Sequence, residues 1–130
     1  MRFMMLYKPG KETDTPPSER EIAQLGAFIQ ELASQGVLLA TDGLQSSSNG
    51  TRVRIAKDKF TVTDGPFTET KELVAGYAIV QVKSKADAID LAKRFLRVVG
   101  EGESEVRLMH DMPAYPPAGE TTVSAKQLAR

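Results

Sequence analysis

The groups able to do acid–base chemistry gather in the middle of the chain. Asp64 opens the string Asp64-Gly65-Pro66-Phe67-Thr68-Glu69-Thr70-Lys71-Glu72, and Asp42 heads a second Asp-Gly step. Brought together, Asp42, Asp64, Glu69 and Glu72 with the Lys71 ammonium would make a carboxylate-rich patch. Such patches shift one another's pKa values and can move protons or hold a small polar ligand. Each aspartate is also explained as a turn former, since Asp hydrogen-bonds its own backbone and Gly takes positive φ freely. The remaining charges suit a solvated loop equally well. Tyr7, Phe67 and Tyr77 are the aromatics placed to line a cavity, although core or interface packing accounts for the two tyrosines.

Other constellations are thinner. His110, the single histidine, precedes Asp111 and could carry a proton near neutral pH. Neighbouring strand residues point to opposite faces, so the two would pair only across a bend. Arg52 and Arg54 share a strand face, with Lys57 and Lys59 nearby. A phosphate grip there would want an aromatic platform or a helix N-terminus, and the sequence offers neither beside them. One histidine and no cysteine leave only oxygen ligands, without the spaced acids of an EF-hand, so neither metal nor cofactor is expected. Glycine-rich phosphate loops, dinucleotide fingerprints and Gly-x-Ser-x-Gly elbows are absent from the sequence.

The 130 residues fit one domain, and 41% apolar with 26% charged residues is ordinary for a globular protein. Lys+Arg and Asp+Glu are both 17, which argues against a dedicated nucleic-acid surface. The start, Met1 to Lys8, is too short for a secretory signal and meets Pro9-Gly10 at once. No apolar run reaches the length of a membrane span. A cytoplasmic protein is the expectation.

Elements to position these groups follow from pattern. Residues 2–8 read as a strand ended by Pro9-Gly10. Ser18-Glu19-Arg20-Glu21 is a capping box, and the helix after it sets Ile22, Leu25, Ile29 and Leu32 on one stripe until Gly36. Residues 37–41 form a second strand, residues 46–50 a flexible loop, and residues 52–56 and 60–63 a hairpin with one wet face. A strand runs from about Leu73 to Val82. Ser84 and Asp87 cap a second helix with Ala88, Leu91, Ala92 and Phe95 on one stripe, closed by Gly100. Residues 105–110 are the last strand, and residues 113–130 a tail, extended or mobile.

The order is a split βαβ, an α+β ferredoxin-like antiparallel sheet with an inserted hairpin. Along Leu73 to Val82 both faces are apolar, and Phe3, Met5 and Tyr7 oppose Met4 and Leu6. Two helices cover one face of such a sheet, so the other calls for a second subunit: a homodimer packed through its sheet faces.

Residues 3–8, residues 36–44, the Asp64–Glu72 string and Gly76-Tyr77 together resemble the YCII-related, or DGPF-domain, proteins over about residues 1–112. That resemblance implies a dimeric α+β barrel, bacterial origin and, for some relatives, association with extracytoplasmic-function sigma factors. More distant relatives are suspected enzymes with a histidine in the first helix and an aspartate after it. Here residues 18–35 hold no histidine, which weakens a dyad of that kind. Two functions follow. One is a dimer whose cleft binds a small polar metabolite through Asp42, Asp64, Phe67, Lys71, Glu72 and Tyr77, with turnover left open. The other is a non-catalytic regulatory or interaction module serving a sigma factor. Neither involves a membrane.

Overall fold

A computed structural model describes residues 1–68 and 72–111. Its elements are β1 (Arg2–Lys8), α1 (Glu19–Ser34), β2 (Leu38–Gly43), β3 (Thr51–Ala56), β4 (Lys59–Asp64), β5 (Gly76–Gln81), α2 (Lys85–Val99) and β6 (Glu103–Leu108). β2, β5, β1 and β6 form one sheet in that order, each neighbouring pair antiparallel, while β3 and β4 pair separately. This is the α+β ferredoxin-like order with a hairpin between β2 and β5. No helix among the described residues is long and apolar enough to cross a membrane.

Local chemistry sets the helix starts. Ser18 Oγ accepts from the Glu21 amide at 3.1 Å, and Ser84 Oγ accepts from the Asp87 amide at 3.1 Å. Each bond satisfies a donor that has no partner inside the helix. The core lies where α2 meets the sheet: Phe3, Met5 and Val80 are buried against Ala88 and Ala92. Burying Phe3 or Met5 contributes about 2 kcal/mol each. Register then assigns the faces. Phe3 pairs with Val80 and Met5 with Ala78 on the helix side, while Met4–Ile79 and Leu6–Tyr77 point away from the helices.

Several expected limits move. Ile22 is 57% exposed although it continues the apolar stripe of α1. Periodicity chooses a helix face but not how much of its length finds a partner. β5 begins at Gly76 rather than Leu73, and β2 extends to Gly43 because its pairing with β5 continues to Gly76. β6 spans Glu103–Leu108, so His110 lies beyond the strand, with its carbonyl accepting from Arg2 at 2.9 Å. Residues 46–50, expected as a flexible loop, contain a 3-10 turn over Ser47–Asn49 with Ser47 buried. Glu69, Lys71 and the tail from residue 113 lie outside the described residues.

Candidate functional site

The sheet and the two helices enclose a cavity of about 410 Å³. Phe28 and Leu32 of α1, Phe95 and Val99 of α2, and Met5 and Tyr7 of β1 supply apolar wall. The bulky Phe28 and Phe95 line this space, whereas the small Ala88 and Ala92 pack in the core against the sheet. Tyr7 meets Phe95 edge to face, with centroids 5.2 Å apart at 85°. Its hydroxyl donates to the Glu101 carbonyl at 2.9 Å. Burial pushes the Tyr7 phenol above its usual value and the Glu101 charge adds to it, so the hydroxyl stays protonated at neutral pH. Gly102, at φ +116°, fits under this ring where a Cβ would come within 2.6 Å of Tyr7 Cε1.

Polar groups on the cavity are few. Thr41 donates to the Tyr77 carbonyl at 2.8 Å, and Asp42 accepts from the Gly43 amide at 2.9 Å. Ser104, the register partner of Tyr7 on β6, has a buried Oγ with no hydrogen-bond partner among the described residues. A buried hydroxyl left unpaired costs about 1–3 kcal/mol. A ligand able to donate or accept there would remove that cost.

A second hollow of about 440 Å³ lies beside the Asp64–Phe67 turn. Its floor is a knot centred on Ser47. Glu12 accepts from the Ser47 amide at 2.7 Å and from its hydroxyl at 2.5 Å, while Ser47 Oγ accepts from the Phe67 amide at 3.0 Å. The Gly65 amide donates to the Gly50 carbonyl at 2.9 Å. A Cβ at Gly65 would stand 1.7 Å from the Ser47 carbonyl oxygen, so the backbones approach too closely for any side chain. Arg52 stacks its guanidinium 3.8 Å above the Phe67 ring, and Thr51 donates to Asp64 at 2.9 Å. The Asp-Gly-Pro-Phe string thus closes the root of the hairpin.

Comparison with known proteins adds the lineage. The family model for the YCII-related domain matches residues 1–112. The chain belongs to that family. Among curated proteins none matches it. Among solved structures, the 5-chloro-2-hydroxyhydroquinone dehydrochlorinase of Burkholderia phenoliruptrix, in complex with 2,5-dihydroxybenzoquinone, is similar at 16% identity with a TM-score of 0.44. The match covers 85% of this chain and 94% of that one.

In this YCII-related protein the expected site residues take different places. Asp42 and Tyr77 are register partners on β2 and β5, and both border the cavity between the sheet and the helices. Phe67 lines the second hollow, with Asp64 bonded to Thr51 beside it. Glu72 lies 3.7 Å from Lys8 Nζ with its side chain 77% exposed. Lys8 also bonds Glu105 at 2.8 Å, and Arg107 holds the same carboxylate. The Lys8 bond, followed by the Arg107 bond, keeps the Glu105 carboxyl below its usual range, and the Glu105 bond raises Lys8 in turn. Among the described residues no three His, Cys, Asp or Glu side chains are grouped to hold a metal. Pattern reading missed Glu12, Ser47 and Ser104. A serine in a Ser-Ser-Ser-Asn run or on an edge strand carries no local mark of burial.

Proposed function

We propose that this protein binds a compact, mainly apolar small molecule carrying a hydroxyl or similar polar group, in the cavity between the sheet and the helices. The observation carrying this reading is the unpaired Ser104 Oγ on a mostly apolar wall. Ligand sites are typically concave, apolar and supplied with a few convergent polar groups, and a volume of about 410 Å³ falls within their usual range. Tyr7, Phe28 and Phe95 favour a flat ring, while Ser104 and Thr41, whose register partners Tyr7 and Ala78 lie on the helix side, supply the polar contacts. The ligand is therefore less polar than the Asp64-to-Glu72 charges alone would suggest. The protein works as a homodimer through its sheet faces. Support for the pairing comes from the apolar row Met4, Leu6, Tyr77 and Ile79 on the side away from the helices.

The test is a thermal-shift screen with two panels, hydroxylated aromatic and alicyclic molecules against phosphorylated and polycarboxylate metabolites. At about 100 times its Kd a ligand stabilises by roughly 2.7 kcal/mol. Hits confined to the first panel and weakened by Ser104→Ala are expected. A silent first panel, or hits only in the second, overturns the proposal.

A further inference from the structure

We infer that the β3–β4 hairpin is an arm whose apolar face docks on a second copy of this chain. The inference rests on the sheet-face pairing proposed above and adds a second, separate surface to it.

The register pairs Val53 with Val62 and Ile55 with Phe60, which places all four on one face. They are 67%, 65%, 58% and 62% exposed respectively. The other face carries Arg52, Arg54, Thr61 and Thr63. One apolar and one polar face is the pattern of a strand pair that covers something on one side only. Among the described residues nothing buries this face, and all twelve strand residues are exposed. An isolated two-stranded hairpin is marginal in water and gains stability from packing. Its root, in contrast, is well held by the Thr51–Asp64 and Gly65–Gly50 bonds. The arm is therefore anchored at its root, and among the described residues its apolar face stays exposed.

Area and charge select the occupant. Four such side chains present on the order of 400 Å², near the largest apolar patch a monomer normally tolerates. A standard interface buries about 800 Å² per partner, so the arm alone is too small. The Met4, Leu6, Tyr77 and Ile79 row supplies a second apolar surface of similar kind. In a two-fold pair, arm and row are both buried in one association event. A formal net charge of zero leaves no overall repulsion between copies.

The test is sedimentation of the full chain from about 1 to 100 µM, a range that brackets micromolar dimers. Removing two apolar anchors with Val53→Ser/Phe60→Ser should weaken the dimer by about a hundredfold. Circular dichroism should show the variant still folded, because both positions are exposed in the single chain. Arg54→Ser, on the polar face, should leave the dimer unchanged. The chain has no cysteine, so Ile55→Cys carrying a benzophenone should give a covalent dimer on irradiation. A dimer unaffected by the arm variant, or crosslinking only within one chain, overturns the arm and leaves the sheet pairing standing. A wild-type monomer throughout overturns both.

Discussion

Replacing Gly65 by alanine tests whether the Asp-Gly-Pro-Phe string is a structural knot. The new Cβ would lie 1.7 Å from the Ser47 carbonyl oxygen and 2.7 Å from its carbonyl carbon. Both contacts are backbone, so no side-chain rotation relieves them. The Ser47 segment must retreat by more than about an ångström to restore van der Waals distance. That movement strains or breaks the Gly65–Gly50 and Phe67–Ser47 bonds. Two hydrogen bonds at about 1 kcal/mol each, with overpacking of about 1–3 kcal/mol, give an expected loss of about 3–5 kcal/mol. Urea unfolding followed by circular dichroism reads this directly. Gly26→Ala is the internal control, because its Cβ meets nothing within 4 Å inside α1. The same added methyl should there stabilise by about 0.5–1 kcal/mol. If Gly65→Ala stayed within about 0.5 kcal/mol of wild type, the reasoning from close approach would be wrong.

Further outcomes follow from other contacts. Ser104→Ala removes a buried hydroxyl with no partner among the described residues, so the ligand-free protein should gain about 1 kcal/mol in urea unfolding while losing affinity for hydroxylated ligands. Lys57 and Asp58 form the hairpin turn at φ 50° and 65°, so Lys57→Asn/Asp58→Gly should stabilise by about 1 kcal/mol, measured the same way. Glu105 is held below its usual carboxyl range, so its contribution is present above the unfolded value and is lost as pH falls through the depressed one. Thermal stability should decline from about pH 4.5 downward, and Glu105→Gln should flatten that decline. The Lys8 contribution has the opposite sign: complete below the ordinary lysine value, it is lost only as pH rises through the raised one.

Residue order alone determined the element sequence, because period and caps are local. The seven residues of β1, the serine caps at Ser18 and Ser84, and the Ala88, Leu91, Ala92, Phe95 stripe all record interactions within a few positions of the chain. The split βαβ order then limited the sheet to very few topologies. Tertiary structure decided where polar groups lose water. Glu12 reaches Ser47 across 35 positions, and Ser104 loses its partners only when β6 lies beside Tyr7. Asp64 and Phe67 were legible as special residues, whereas their bonds to Thr51 and Ser47 were not. Burial and cavity shape arise from contacts between distant segments, and no local pattern encodes them.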